Sequence, residues 1–327
     1  MQKKNPTLWR EIQRKNFIHV KDLAEFLELD AENKSHLLDA PSFALNLPRR
    51  LAEKMAKNSL DDPLFKQFVP LQKEKIKTPG FLVDPVSDKS FQKEKKLLQK
   101  YQGRALLLTS SACGMHCRFC FRQNFPYETT PGFDNELELI KKDTTLREVI
   151  LSGGDPLSLD DAVLGDLLVR LGEMEHIKRI RFHTRFPIGI PERIDDSFLK
   201  LLSSQKKQIF FAPSINHPRE LDREVLKALQ SLIRINVPVI TQSVLLKGVN
   251  DNVETLKELF LLLGDHGILP YYIHDLDPVQ GAAHFEVPRA EGLKLMKEIQ
   301  ASISGYLVPR YVKEIPGEKG KTLIVSP

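Results

Sequence analysis

The sequence predicts an α/β protein, in which a parallel sheet with crossover helices follows a helical N-terminal region. Two observations lead to this prediction. From residue 104 onward, short apolar runs alternate with longer amphipathic stretches, whereas before residue 60 apolar residues recur at helical spacing with few β-branched runs. Six strand–helix units are too few to close an eight-stranded barrel, so a partial (β/α)6 barrel competes with a flat, doubly wound sheet.

The chain divides into four predicted regions. Residues 1–60 form the helical N-terminal region, and residues 61–100 form a mostly irregular connection that wraps the core, because Gly80 and four prolines interrupt it. Residues 101–285 form the barrel, and residues 286–327 form a C-terminal segment. The predicted strands are 105–109, 148–152, 179–184, 208–213, 237–244 and 268–274, and the predicted helices between them are 160–171, 197–203, 219–232 and 252–266.

Length and composition are typical of a folded protein from a reducing compartment. The 327 residues are 41% hydrophobic, which allows a large core and excludes a disordered tail. Three cysteines cannot all pair within one chain, which disfavours a secreted disulfide framework. The charged stretch from Met1 to Arg14 lacks the apolar segment of a signal peptide, and no run approaches the ~20 apolar residues that span a bilayer. We therefore predict a cytoplasmic protein without a membrane partner.

The net charge of +5 arises from 48 Lys plus Arg against 43 Asp plus Glu. Much of this excess is assigned to helix faces that carry Lys93, Lys95, Lys96 and Lys100, which predicts an ordinary solvated surface. The sequence contains no arginine-rich tract and no interleaved basic and aromatic platform. No direct nucleic-acid partner is therefore predicted.

All three cysteines lie together, as Cys113, Cys117 and Cys120, just after the first predicted strand. Such close spacing can hold three thiolates around one metal centre, and thiolates are preferred ligands of zinc and of iron–sulfur clusters. A zinc knuckle with His116 or another histidine as the fourth ligand is one interpretation. The absence of a second cysteine pair, and the position beyond a strand's C-terminal end, favour a catalytic centre with an open coordination site.

The CxxxCxxC spacing, with Phe119 before the last cysteine, resembles the motif of the radical S-adenosylmethionine superfamily. The resemblance implies a [4Fe-4S] cluster on the three cysteines, an open iron for S-adenosylmethionine, Phe119 near the adenine, and a partial barrel rather than a flat sheet. The later stretch Ser152-Gly153-Gly154-Asp155-Pro156 is similar to the segment that binds the methionyl ammonium. Gly153, Gly154 and Asp155 are therefore expected at the cofactor.

Further stretches are similar to the lysine 2,3-aminomutase family, over about residues 62–321. The matching segments are Phe121 to Phe125, Asn216-His217-Pro218, Gln242 to Asp251 and Tyr271 to His274. The resemblance implies cofactor contacts from Asn216, His217 and Gln242. It also implies that Lys100, Tyr101 and Arg104 hold the phosphate of pyridoxal 5'-phosphate, for which cations are suited.

The same resemblance assigns the remaining site residues. Lys321, at the end of a Pro-Gly-rich turn, takes the position of the Schiff-base lysine, with Lys319 as the alternative. Arg122 matches the arginine that pairs with the substrate carboxylate, a geometry that its planar fork favours. Asp277 and Glu314 match the two acidic positions that hold the side-chain ammonium, although Glu314 stands where classical members have Asp.

The chain lacks the family's C-terminal extension with extra zinc-binding cysteines. This short form, with segments 61–64, 79–81 and 280–285, is similar to the subgroup that serves β-lysylation of elongation factor P. The resemblance implies L-lysine as substrate, (R)-β-lysine as product, an external one-electron reductant, and a functional link to elongation factor P and its lysyl ligase; a homo-oligomer is compatible with it. An aminomutase for another free cationic amino acid and a non-catalytic iron–sulfur or zinc protein remain alternatives.

Overall fold

The computed structural model describes residues 8–325, so the first seven residues of the predicted N-terminal region and the last two of the C-terminal segment lie outside it. The helices are α1 Leu8–Gln13, α2 Val20–Phe26, α3 Ala31–Ser35, α4 Arg49–Glu53, α5 Pro63–Phe68, α6 Asp134–Lys142, α7 Asp161–Gly172, α8 Asp196–Ser203, α9 Arg223–Arg234, α10 Val253–Asp265 and α11 Arg289–Ser302. The strands are β1 Gln92–Glu94, β2 Leu97–Tyr101, β3 Arg104–Ser110, β4 Glu148–Gly153, β5 Arg179–Thr184, β6 Gln208–Pro213, β7 Ile240–Val244, β8 Leu269–His274, β9 Arg310–Lys313 and β10 Thr322–Leu323.

The strands form a partial barrel. One sheet has the order β1-β2-β3-β4-β5-β6 and the other β10-β9-β8-β7, with β3 to β6 and β7 to β9 parallel. Two isolated parallel bridges join the sheets. Phe211 of β6 pairs with Val239, just before β7, and Ser214, just after β6, pairs with Gln242 of β7. The parallel strands therefore follow chain order in one direction, without the reversal of a doubly wound sheet. This confirms the partial-barrel prediction.

Each predicted strand coincides with an observed one, and α7 to α10 correspond to the four predicted helices. Within the described residues, the structure adds a seventh parallel strand, β9, which the sequence analysis did not predict. It is only four residues long, and its pattern RYVK gives too little periodicity to distinguish a strand. Helices α6 and α11 were also missed.

The irregular connection predicted for residues 61–100 contains ordered elements. Asp62 accepts hydrogen bonds from Leu64 N and Phe65 N and begins α5, with Pro63 at its first position. Residues 92–101 form a hairpin, β1–β2, which pairs antiparallel with β3. The prolines therefore mark a helix start as well as turns.

The prediction of a solvated helix face for the lysines of residues 93–100 is wrong. Lys93 and Lys95 are exposed but lie in and beside a strand, whereas Lys96 is buried and the Lys100 side chain is only 12% exposed. Pairing with β3 overrides the helical pattern of these residues. Lys100 thereby becomes an interior cation.

The N-terminal region packs against the barrel. Residues 8–60 contain four helices of five to seven residues, separated by turns and extended segments. Leu27, Leu47 and Leu51 are fully buried, and the Trp9 ring meets Phe186 edge-on at 5.6 Å. No helix among residues 8–325 has both the length and the apolar character needed to cross a membrane.

Alternation along the strands gives the barrel its interior. In β3, Leu107 is buried against the surrounding core, while Arg104 and Leu106 face the cavity on the opposite side. The cavity-facing positions of the other strands are largely polar, so the interior is suited to a ligand rather than to a packed core.

Candidate active site

A large cavity lies inside the barrel, and every parallel strand, or the loop that follows it, contributes to its wall. The cysteine loop lines one part, and a group of cationic and anionic side chains lines another. The side chains predicted for the two cofactors and the substrate that face this cavity are Cys113, Cys117, Cys120, Phe119, Arg122, Asp155, Gln242, Lys100, Tyr101, Arg104, Asp277, Glu314 and Lys321.

The cysteine loop is held by the N-terminal region. Asn46 Nδ2 donates to the Cys113 carbonyl at 3.0 Å, and Asn16 Nδ2 donates to the Gly114 carbonyl at 2.9 Å. Gly114 itself has no room for a side chain, since a Cβ would lie 2.8 Å from the Phe186 ring. The asparagine contacts explain why a helical region without catalytic motifs packs at the barrel mouth.

Burial raises the pKa of all three thiols, that of Cys120 to about 11. Arg185 opposes this at Cys117, because its Nη1 donates to Cys117 Sγ at 2.8 Å. Because burial raises the pKa of these thiols more than the nearby arginines lower it, the three sulfurs are suited to a cationic metal centre, which replaces the protons. The donor set therefore fits the implied iron–sulfur cluster.

His116 does not belong to this group. Its Nδ1 lies 2.8 Å from the Ala44 carbonyl, its ring stacks on Phe43 at 4.5 Å, and it is not part of the cavity wall. The zinc knuckle with His116 as fourth ligand is thus not the observed arrangement. Among residues 8–325, no three His, Cys, Asp or Glu side chains lie close enough together to hold a single metal ion.

Close backbone contacts require glycine at the last position of β4, Gly153, and at the next residue, Gly154. A Cβ on Gly153 would lie 2.5 Å from the Ser110 carbonyl oxygen, and one on Gly154 would lie 2.4 Å from that of Ala112. Gly154 N donates to Ser110 O at 2.6 Å, and Gly153 has φ +123°. Both glycines line the cavity while pinning the start of the cysteine loop against β4.

The Asp155 carboxylate faces the cavity but is already occupied. It accepts hydrogen bonds from Thr184 Oγ1 at 2.7 Å, Arg185 N at 2.7 Å and Leu157 N at 3.0 Å. Burial raises its pKa to about 6 against these donors. Asp155 thus joins the ends of β4 and β5, and the accessible groups of this segment are those of Gly153 and Gly154.

Two predicted cofactor residues lie outside the cavity wall. The fully buried Asn216 donates to Gln67 Oε1 at 3.0 Å and accepts from Val244 N at 2.8 Å. His217 Nδ1 accepts from Arg219 N at 3.1 Å, and burial lowers its pKa to about 4. Both side chains are hydrogen-bonded within the protein and neither lines the cavity, so the cofactor contacts expected of Asn216 and His217 stay predictions.

The residues predicted to hold the cofactor phosphate, Lys100, Tyr101 and Arg104, lie around the β2–β3 turn. The Arg104 guanidinium stacks 4.5 Å from the Tyr101 ring, and within the described residues it has no ion-pair partner. The Tyr101 hydroxyl is buried, and no hydrogen-bond partner is present for it in residues 8–325. An unsatisfied hydroxyl beside an unpaired guanidinium fits an anion such as a phosphate.

The C-terminal segment brings Lys321 into the cavity, where Nζ contacts Glu314 Oε2. Lys319 lies exposed on the turn between β9 and β10. Of the two candidate lysines, only Lys321 lines the cavity, and its role as the Schiff-base lysine stays a prediction.

Asp88, which the sequence analysis did not identify, links two predicted site residues. Its Oδ2 accepts from Arg122 Nε at 2.6 Å, and its Oδ1 lies 2.6 Å from Lys100 Nζ. Lys100 Nζ also donates to Glu314 Oε1 at 2.7 Å. With the contact from Glu314 to Lys321, these residues form a chain of alternating charge, called here the charge chain: Arg122, Asp88, Lys100, Glu314 and Lys321.

Glu314 and Asp277, the two carboxylates predicted to bind the substrate ammonium, differ in pKa and in their partners. Lys321 and Lys100 overcome the effect of burial and lower the pKa of Glu314 to about 2. Burial raises the pKa of Asp277 to about 7, with Lys321 opposing the rise, and residues 8–325 provide no hydrogen-bond or ion-pair partner for its carboxylate. Asp277 is therefore the carboxylate that is free to receive a cation from outside.

Comparison with known proteins decides the family. The chain is 42% identical over 309 residues to L-lysine 2,3-aminomutase of Escherichia coli (strain K12), covering 92% of this chain and 90% of the relative. It is 42% identical to that of Haemophilus influenzae over 86% of this chain, and 31% identical to that of Clostridium subterminale over 97%. The chain belongs to the L-lysine 2,3-aminomutase family. No family model matches the sequence.

The fold of this aminomutase family member also resembles solved structures. Streptococcus suis SuiB bound to S-adenosylmethionine matches with a TM-score of 0.51 and 17% identity, over 66% of this chain. SuiB bound to the precursor peptide SuiA gives the same score at 18% identity. This chain spans about half the length of those structures, covering 51% and 50%, and the likeness shows the partial-barrel fold alone.

As an aminomutase family member, the protein is an isomerase of the radical S-adenosylmethionine type. The residues that its sequence did not reveal are Asp88, Arg185 and the two clamping asparagines. None lies in a recognisable motif, and Arg185 follows β5 as one arginine among several. The sequence feature that could have indicated Arg185 is its position at the C-terminal end of a predicted strand, where barrel enzymes place site residues.

Proposed function

We propose that this enzyme uses pyridoxal 5'-phosphate and S-adenosylmethionine to convert L-α-lysine to (R)-β-lysine. The observation that carries the proposal is the content of one cavity: three thiols, the unpaired Arg104 guanidinium beside the unsatisfied Tyr101 hydroxyl, the cavity-facing Lys321 and the unpartnered Asp277 carboxylate. Each of these features suits one reactant. Together they account for a cluster, a phosphate cofactor and a diamino acid.

The cofactors supply the difficult chemistry when bound, namely radical generation at the cluster and stabilisation of the migrating amino group. The chain would hold the cluster with Cys113, Cys117 and Cys120, and pyridoxal phosphate with Lys321 and the β2–β3 turn. Phe119, packed edge-on to Phe285 at 6.0 Å, offers an apolar surface for an adenine. Gln242, whose Nε2 lies 3.1 Å from His183 Nε2, offers an amide at the same wall.

The substrate would be recognised at both of its charged ends. Arg122 keeps its terminal nitrogens toward the cavity, with Nη1 only weakly engaged by Ser152 Oγ at 3.4 Å, and can pair with the carboxylate. Asp277 would take the side-chain ammonium, whose desolvation a carboxylate can offset. Glu314 can share that ammonium only after one of its two lysine partners has moved away.

The barrel wall would protect the reaction. The N-terminal region covers the cysteine loop, and Phe43 and Met115 line the cavity beside the cysteines. Burial lowers the pKa of His183, and that of His274 to about 3, so both remain neutral at the working pH. The two imidazoles therefore add no cationic proton donor to the cavity.

Anaerobic reconstitution with iron and sulfide tests the proposal directly. Added S-adenosylmethionine should change the EPR spectrum of the reduced cluster, pyridoxal phosphate should bind with visible absorbance, and L-lysine should yield β-lysine. A non-catalytic metal protein would give neither spectral change. Turnover of L-ornithine at a kcat/KM equal to that of L-lysine would instead favour another cationic amino acid as substrate.

We further propose that the product serves β-lysylation of elongation factor P. The support is the higher identity to relatives of similar length, 40–42% with coverage of 84–90% of their chains, against 31–32% for relatives covered to 77–78%. Mass spectrometry of elongation factor P from cells that lack this enzyme should show loss of the β-lysyl group, and added β-lysine should restore it. An unchanged modification would separate the enzyme from this role.

A further inference from the structure

Asp88 lies where the predicted carboxylate and phosphate subsites meet. Its side chain is 1% exposed, and it begins a short 3-10 turn after Ser87, whose φ of 53° is left-handed. Asp84 fixes this turn, because its Oδ1 accepts from Asp88 N at 2.9 Å and its Oδ2 from Lys89 N. The carboxylate therefore projects from a rigid backbone into the charge chain.

Of the two cations that Asp88 contacts, Arg122 has free terminal nitrogens, whereas Lys100 binds a further anion only by giving up one of its partners. Asp88 engages Arg122 through Nε, which leaves the terminal nitrogens available for a second carboxylate in a bidentate pair. Lys100 has three donors and uses them on Asp88, Glu314 and the Val86 carbonyl at 2.8 Å. Arg122 and Lys100 cause the pKa of Asp88 to be low in spite of its burial, so the bridge stays charged.

We propose that Asp88 is a positioning residue that directs Arg122 toward the substrate carboxylate and Lys100 toward the cofactor phosphate. It acts on both anion subsites without touching either ligand. This inference rests on the proposed function, since it needs a carboxylate and a phosphate as the two anions. Its consequence is that the two subsites are coupled through one side chain.

Ligands that lack one anionic group separate positioning from a merely structural role. Cadaverine has the carbon chain and both amines of lysine but no carboxylate, and pyridoxal lacks the phosphate. In Asp88→Asn, calorimetry on the reconstituted enzyme should show L-lysine binding weakened by about 10-fold or more, with cadaverine unchanged within about twofold. Pyridoxal phosphate should likewise weaken more than pyridoxal.

Glu136→Gln is the matched control. Glu136 is a buried carboxylate that accepts from Lys96 N at 3.2 Å beside the same hairpin, but it does not line the cavity. This variant should bind all four ligands as the wild type does. If Asp88→Asn fails to fold, Asp88→Glu, which retains the charge but moves it by one methylene, should still weaken lysine relative to cadaverine.

Two results would contradict the positioning role of Asp88, and a third would contradict the proposed function. Equal losses for lysine and cadaverine in Asp88→Asn would mean a structural role only. Tighter lysine binding in that variant would mean that Asp88 competes with the substrate carboxylate. A wild-type enzyme that does not prefer lysine to cadaverine would instead contradict the proposed function itself.

Discussion

The two parts of the cavity balance their charges in opposite ways. At the cysteine loop, burial raises the pKa of each thiol, and Arg185 is the one guanidinium that contacts a sulfur within the described residues. In the charge chain, each carboxylate already has two cations, as the low pKa of Glu314 shows. The cysteine loop thus requires positive charge from outside, whereas the charge chain must exchange internal partners to admit its ligands.

Removal of a cysteine should have the largest effect. Cys113→Ala, Cys117→Ala or Cys120→Ala leaves one cluster iron without its thiolate, so we expect activity and the iron–sulfur EPR signal to be lost. Binding of pyridoxal phosphate, measured by its visible absorbance, should persist, because the charge chain is intact. A variant with a full cluster and wild-type turnover would show that the cysteine concerned is not a ligand.

Substitution of Lys321 affects the opposite part of the cavity. Lys321→Ala should lose turnover and the visible absorbance of covalently held pyridoxal phosphate, because the neighbouring amine, Lys100 Nζ, is already held by Asp88, Glu314 and the Val86 carbonyl. Cluster EPR should be unchanged. Lys319→Ala is the matched control, since that lysine is exposed, and it should behave as the wild type. The reverse pattern would move the covalent attachment to Lys319.

Asp277→Asn tests the difference between the two substrate carboxylates. The change retains size but removes the charge expected to face the substrate ammonium, and loss of one partner of a buried ion pair typically costs ~3–5 kcal/mol. Lysine turnover should fall by orders of magnitude while both cofactor spectra stay unchanged. Turnover at near the wild-type rate would leave Asp277 without a role in substrate recognition.

The raised pKa of Asp277 also predicts a pH dependence. Only the ionised carboxylate attracts an ammonium, and its pKa in the free enzyme is about 7, so lysine affinity should increase as the pH rises between about 6 and 8. Asp277→Asn should abolish this increase. Calorimetric titration with L-lysine at several pH values measures both curves, and an unchanged slope in the variant would assign the titration to another group.

A smaller effect is expected from Arg185→Lys. The lysine retains the positive charge but cannot contact Cys117 Sγ, Gln67 and Glu220 together, as the guanidinium does. Loss of the hydrogen bond to sulfur should lower the cluster's reduction potential, on the order of tens of millivolts. Redox titration followed by EPR measures the shift, and an unchanged potential would mean that Arg185 only supports the packing.

The sequence predicted features that are local and missed those that depend on long-range contacts. The cysteine motif and Lys321 lie in short segments whose spacing or turn chemistry is visible directly. Asp88 could not be found in this way, because its partners are 12 and 34 residues away and its turn resembles an ordinary proline-rich loop. Asn216 shows the opposite case, in which a clear motif gives no information on whether its amide faces a ligand or the core.

The pair between Lys100 and Glu314 has a mechanical consequence. Lys100 belongs to β2 in the first sheet, and Glu314 directly follows β9 in the second, so this contact joins sheets that share no backbone ladder on that side. The opposite junction, between β6 and β7, is made by backbone bridges. One junction of the barrel is thus made by peptide groups, and the other by an ion pair. Because this pair is only 12–13% exposed, bulk salt screens it little, but a phosphate bound at Lys100 can compete with Glu314 and separate the two sheets there.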